Sequence, residues 1–256
     1  LYYEIHGRQG AKTVVLSSGL GGAAHYWAPQ IDALAKHFRV IVYDQLGTGK
    51  SPSSLPVGYS IADMAGEVAT LLQELAVEKC HFVGHALGGL IGLQLALDRP
   101  DLIDKMVVVN AWAKTHPHTV RCFAARKSLL LDTGVAAYVA AQPLFLYPAD
   151  WLADRQAWLT EQDAAAVAHF PPVETVLRRI DAILAFDLEV QVPAIGATTL
   201  VVAARDDMLV PSACSTQLAK LLPHARMSLL SHGGHGCNVT DPAQFNATVG
   251  AFLTEP

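Results

Sequence analysis

The chain is poor in charge. Asp, Glu, Lys and Arg make up 16% of its 256 residues, and the formal net charge is -5. Nucleic-acid binders carry a basic footprint that tracks the phosphates, so the composition excludes nucleic acid and an acidic membrane surface as partners. Long apolar runs are missing too: no stretch approaches the ~20 residues that a bilayer-spanning helix requires, so no membrane partner is expected. Only four cysteines occur, Cys80, Cys122, Cys214 and Cys237. They are scattered without metal-ligand spacing and read most simply as reduced thiols in a cytoplasm. No dinucleotide fingerprint is present. Asp44–Ser51 (DQLGTGKS) fails as a phosphate loop, because the Gly-x-x-x-x-Gly-Lys-Ser/Thr spacing is absent and no helix follows at once. The expectation is an activity that needs no cofactor and no metal. There is no internal repeat, initiator Met or signal-peptide pattern; the chain opens directly on the strand-like LYYEIHG, and residues preceding it are expected.

Apolar residues, in contrast, reach 52%, ample for a buried sheet, and the length suits one α/β domain with a modest insertion. Thr13–Ser17, Arg39–Tyr43, Glu78–Val83, Asp104–Asn110, Thr198–Ala204 and Arg226–Leu230 read as strands. Helices are expected over Tyr26–His37, Ile61–Leu75 (with Ser60 as its cap), Gly88–Leu97, Ser212–Leu222 and Ala243–Leu253. Such alternation implies a mostly parallel sheet covered on both faces. From Trp112 to about Val192 the rhythm changes. Helical stretches, Leu129–Gln142 and Val173–Leu184 among them, are separated by Pro143, Pro148, Pro171 and Pro172, and no strand-like run appears. The division expected is a core over 1–111 and 193–256 with a helical cap over 112–192.

Ligands of open α/β sheets bind beyond the carboxyl ends of the strands. Five loops leave those ends with useful groups: Ser18–Gly22, Asp44–Ser51, His85–Leu87, Arg205–Pro211 and His232–Asn238. In the third, Val83–Leu90 (VGHALGGL) takes a strand into a helix through Gly-x-x-x-Gly, the spacing of a nucleophile elbow. The attacking serine of such an elbow is absent. Its place is held by Ala86, whose methyl group cannot attack a carbonyl. Asp207 follows a strand directly, and His235 lies in a glycine-rich loop before the last helix, so elbow, acid and histidine come in the chain order of an α/β-hydrolase triad.

On these residues the chain resembles the α/β-hydrolase fold family along nearly its whole length. That resemblance implies a cap inserted after the sixth strand, backbone N–H donors for an oxyanion at Leu20 and Leu87, Asp207 at the acid position and His235 at the histidine position. More narrowly, GLGG, YDQLGTG, VGHALGG, AQPLFLYPADW, DDMLVP and GGHGCNVTDP resemble the aminoacrylate/carbamate hydrolase subfamily of the bacterial Rut pathway for pyrimidine breakdown. This subfamily carries Ala at the nucleophile position. One departure is Leu46, where many relatives have Arg. The resemblance implies a cytoplasmic hydrolase of C–N bonds other than peptide bonds, acting in pyrimidine catabolism on a small, labile substrate, with Asp207 orienting His235 and His235 activating water.

Other readings stay open. Ala86 can stand for an engineered or lost serine in an esterase or amidase, and the chain can be a non-catalytic ligand-binding homologue. Cys237 competes weakly as a nucleophile, and His25, His85 and His232 compete with His235. Ser18 reads equally as a donor into the pocket or a turn residue. Arg121, Arg126, Arg178 and Arg179 could meet an anion, though surface exposure is the default for arginine. The partner expected is a small molecule, with a homodimer left open.

Overall fold

A computed structural model describes all residues, 1–256. Seven strands form one sheet: β1 (Tyr3–Gly7), β2 (Thr13–Ser17), β3 (Arg39–Tyr43), β4 (Cys80–His85), β5 (Ile103–Val109), β6 (Thr198–Ala204) and β7 (Ala225–Leu230). Their order is β1-β3-β2-β4-β5-β6-β7. Only the edge strand β1 is antiparallel, pairing with β3; all other pairs are parallel.

Side chains alternate across each strand, which splits the core in two. Val14, Leu16, Val40 and Val42 face α1 (Ala28–Ala35) and α10 (Pro242–Thr254), in a cluster with Leu34, Phe245 and Phe252. Val15, Ile41, Tyr43 and Phe82 face the opposite way, toward α2 (Ile61–Glu74), α3 (Leu87–Asp98) and α9 (Ser212–Leu221). A capping box between Ser60 and Asp63 starts α2, satisfying N–H groups the first turn leaves free.

Between β5 and β6 no strand occurs, and the helices are α4 (Pro117–Ser128), α5 (Val135–Leu146), α6 (Ala149–Ala153), α7 (Gln156–Ala168) and α8 (Val173–Ala185), with a π turn at Leu129–Thr133 and a 3-10 turn at Val192–Ala194. Phe123, Tyr138, Ile180 and Ile183 of this insertion share one apolar cluster with the sheet, so it packs onto the core. The insertion follows the fifth strand of this sheet, not the expected sixth, because a single strand, Tyr3–Gly7, precedes Thr13–Ser17. The expected helix Leu129–Gln142 is interrupted at Gly134, whose φ of 107° breaks the helical ladder. Pro143, expected to separate elements, sits inside α5.

The strand order positions the site. From β2 the chain goes to β3 on one side, then crosses to β4 on the other. Adjacent loops therefore diverge above β2 and β4, leaving the crevice in which α/β sheets bind ligands. Ser17 pairs with Gly84, so both loops leave the sheet at one level.

Candidate active site

Strand β4 runs through Gly84 and His85 before the chain turns at Ala86, with φ 47° and ψ -112°. For a non-glycine residue that conformation stores roughly 1–3 kcal/mol. Two hydrogen bonds hold it: the Ala86 N–H donates to the Val109 carbonyl at 2.8 Å, and its own carbonyl accepts from the Leu90 N–H at 3.1 Å. The flanking glycines are obligatory. A Cβ at Gly84 would lie 2.2 Å from the Gly88 carbonyl oxygen, and one at Gly88 would lie 2.0 Å from the Ser17 carbonyl oxygen. Helix α3 thus starts against the ends of β2 and β4, and the Ala86 methyl is turned into a cavity of about 240 Å³.

The same cavity is lined by His235, from the loop after β7. Its Nδ1 lies 2.7 Å from Asp207 Oδ2, with both side chains almost wholly buried. The other carboxylate oxygen, Oδ1, accepts from the Leu209 and Val210 N–H groups at 2.8 Å each. An ionised carboxylate so held accepts the Nδ1–H, which leaves Nε2 as the unprotonated ring nitrogen. No protein group hydrogen-bonds that Nε2. The His235 carbonyl is fixed separately, accepting from His85 Nε2 and Asn110 Nδ2 at 2.7 Å each. Asp206 accepts from the Gly233 and Gly234 N–H groups and so ties the start of the loop.

Beneath this loop, the His85 ring centroid lies 4.7 Å from that of His235. Burial, then the neighbouring His235, push the pKa of His85 well below the ordinary imidazole range. The ring is neutral, donating from Nε2, and acts as a packed support for the loop. Asn110 has a φ of 49°. Its Oδ1 accepts from the Ala204 N–H while its Nδ2 donates to His235, so it joins β5, β6 and the histidine loop.

Leu20 and Leu87 both line the cavity. As first residue of α3, Leu87 has an N–H with no partner inside the helix. The Leu20 N–H donates to no backbone carbonyl in its loop. Its carbonyl accepts from Arg179 Nε and Nη2 at 3.1 and 3.0 Å. Arg179 is buried on α8 and donates also to Gln45 Oε1; burial lowers its pKa to about 10. It lies behind the Leu20 loop and does not line the cavity.

The remaining sequence candidates separate clearly. Ser18 lines the cavity with a buried, unpartnered Oγ, and exposed His25 also borders it. His232 is exposed outside it, paired with Asp206 at 2.8 Å. Cys237 is fully buried and does not line the cavity; burial lifts its thiol pKa to about 12. Arg121 is exposed. Arg178 pairs with Glu174 at 2.9 Å in a separate groove of about 470 Å³ that contains none of the groups above. Leu46 packs on the apolar core. Arg126 alone of the four arginines lines the cavity. Two supporting residues are not singled out by the sequence, Asn110 and Gln45; for Asn110 the available signal is a polar residue ending a buried strand. No cluster of His, Cys, Asp and Glu side chains is arranged to hold a metal.

A parallel sheet with a strained strand–turn–helix at Ala86 and an Asp–His pair beside it defines an α/β hydrolase. Residues 12–242 match the family model described as alpha/beta hydrolase fold, and the chain belongs to that family. Among its relatives, the protein named "Putative carbamate hydrolase RutD" in Stutzerimonas stutzeri is 54% identical, covering 100% of this chain and 97% of that one. The protein of the same name in Pseudomonas savastanoi pv. phaseolicola is 52% identical, covering 99% and 98%. Among solved structures, the enol-lactonase from Burkholderia xenovorans matches with a TM-score of 0.90 at 30% identity, over 99% of this chain and 96% of that one.

Proposed function

We propose that this protein is a hydrolase of a small, labile C–N substrate, carbamate or 2-aminoacrylate, and that it works through water activated by His235 without a covalent intermediate. The observation that carries this reading is the pairing of a methyl group at the elbow with a His235 Nε2 that has no protein partner. Full-length relatives named for carbamate hydrolysis support it.

The chemistry follows from the tautomer. Water in the cavity donates a proton to Nε2 while its oxygen attacks the electrophilic carbon. The imidazolium so formed is stabilised by Asp207. Negative charge developing on the attacked group is met by the Leu20 and Leu87 N–H groups. With the imine tautomer of 2-aminoacrylate, attack at C2 gives a carbinolamine. The imidazolium returns its proton to the nitrogen, completing the carbinolamine; His235 then takes the carbinolamine hydroxyl proton and passes it to the nitrogen as the C–N bond breaks, and ammonia and pyruvate leave. With carbamate the same sequence yields ammonia and bicarbonate. A general base contributes typically about 10²–10⁴-fold, modest for an ester or amide but sufficient for substrates that already decompose unaided. Four free thiols suit a reducing cytoplasm.

The retained strain at Ala86 favours a second reading, in which a seryl hydroxyl has been replaced at a complete serine-hydrolase site. NMR of carbamate and of 2-aminoacrylate generated in situ tests the first. Decay above the spontaneous rate is expected for at least one of them; no excess for either would refute the proposal. An Ala86→Ser variant that became a general esterase with a burst phase would establish the second.

A further inference from the structure

We propose that Arg126 is the docking group for a substrate carboxylate held away from the reacting carbon, which makes a small 2-imino acid the fitting substrate rather than carbamate. This rests on the hydrolase reading above.

Arg126 is only 3% exposed. It is set among the rings of Phe123, Tyr138 and Phe145, whose centroids lie 5.2, 5.1 and 5.8 Å from its guanidinium carbon. Its Nη2 donates to the Tyr138 hydroxyl at 2.8 Å and to Gln142 Oε1 at 3.1 Å, both neutral acceptors. Nε is buried without a partner, Nη1 donates to no protein atom, and no carboxylate pairs with the group. A buried cation left in that state is strongly unfavourable unless something supplies the missing charge. The other buried insertion arginine, Arg179, differs: its Nε and Nη2 donate to Leu20 and Gln45, Nη1 alone has no partner, and it does not line this cavity. Arg126 does line the cavity, and a guanidinium with free donors is shaped for two parallel bonds to a carboxylate.

Where the group sits decides the substrate class. Arg126 and Gln142 belong to the insertion wall, whereas Leu20, Ala86, Leu87 and His235 come from loops at the sheet edge. In carbamate the carboxylate carbon is itself the carbon attacked, so the anion cannot be held at one wall and react at the other. In 2-iminopropionate the carboxylate is a bystander, one bond from the electrophilic C2. Arg126 can grip it while C2 faces His235.

Oxamate is a stable probe of this arrangement, an amide carbon beside a carboxylate; pyruvamide is its uncharged counterpart. In calorimetric titrations the wild type is expected to bind oxamate and to bind pyruvamide at least about tenfold more weakly. Arg126→Met should lose about tenfold or more in oxamate affinity, as expected for a charge-assisted contact, with Arg126→Lys recovering part. In turnover, Arg126→Met should raise KM for 2-aminoacrylate by about tenfold and leave kcat within about threefold, the signature of uniform binding. His235→Ala should retain oxamate binding while losing turnover, so the two proposals fail separately. If His235→Ala turns over normally, the mechanism falls and the carboxylate site stands. Should Arg126→Met not fold, ¹⁵Nε spectra of the wild type decide: one arginine resonance, assigned through Arg126→Lys, should move on adding oxamate. Unchanged oxamate affinity in a folded Arg126→Met, absence of oxamate binding to the wild type, or no arginine shift each overturns the inference.

Discussion

Asp207→Asn exposes the proposed chemistry through one atom. Oδ1 of Asp207 accepts from two backbone N–H groups at 2.8 Å, and Oδ2 accepts from His235 Nδ1 at 2.7 Å. An asparagine can keep only one oxygen. Turning its NH₂ toward Leu209 and Val210 would set donors against two buried donors, at about 1–3 kcal/mol for each group left unsatisfied. The oxygen therefore stays on the loop and the NH₂ faces His235. The imidazole must then accept at Nδ1 and carry its proton on Nε2, the atom that is to take a proton from water. The base is lost although the fold and cavity persist. The loss expected is the whole contribution of a general base, about 10²–10⁴-fold in the catalysed rate, equal to about 3–5 kcal/mol in the barrier. The wrong-tautomer substitution in a serine protease triad falls at the upper end of this range. The assay is NMR of 2-aminoacrylate decay above the spontaneous rate, with the thermal midpoint measured alongside. An Asp207→Asn protein that folds normally and keeps the wild-type acceleration would refute the assignment of Nε2 as the base.

Three further outcomes follow from other residues. Arg179→Met frees the Leu20 carbonyl, so kcat should fall by about 10–100-fold with little change in KM, the scale of a small misplacement in a catalytic site, and Arg179→Lys should recover part; kcat within twofold of wild type would contradict this positioning role. Cys237→Ala should leave turnover within about twofold, because a buried thiol with its pKa pushed to about 12 is protonated and not nucleophilic; loss of turnover with the fold intact would contradict it. Stability should fall as pH drops from about 6.5 to about 4, because burial holds the pKa of His81 down at about 4 and the unfolded chain alone takes up that proton across this window, at no more than ~1.4 kcal/mol per pH unit. Urea titrations should show His81→Leu flattening that acid limb, and an unchanged limb would assign it to other groups.

The strands were the most legible part of this fold. Thr13–Ser17, Arg39–Tyr43 and Thr198–Ala204 are unbroken apolar runs, buried on both faces, and their bounds were readable to the residue. The apolar run of β4 stops at Val83, yet Gly84 and His85 still pair with β5, because glycine tolerates the ladder and the turn waits for Ala86. The insertion was harder. Helix α7 buries no residue and so carries no apolar stripe. Proline was a misleading marker at Pro143, which α5 accommodates near its end. The candidate site was legible where a loop follows a strand, because chain order alone brings Ala86, Asp207 and His235 to one sheet edge. The partners of the arginines were not legible. Arg178 and Arg179 are consecutive on α8, yet one pairs at the surface of a groove and the other is buried behind Leu20. The apolar stripe of α8, Val176, Ile180 and Ile183, does carry Arg179 on its buried face and leaves Arg178 off it; what no local pattern encodes is that this face meets the Leu20 carbonyl. Arg126 is hidden for the same reason, since its aromatic surroundings come from both α4 and α5.

Activation of the attacking water by His235 is tested by the rate of 2-aminoacrylate and carbamate decay with His235→Ala, measured by NMR beside the wild type and the protein-free reaction. The expected variant folds and its rate coincides with the spontaneous one, while the wild type exceeds it. A folded His235→Ala protein that accelerates decay as the wild type does would rule out His235 as the base.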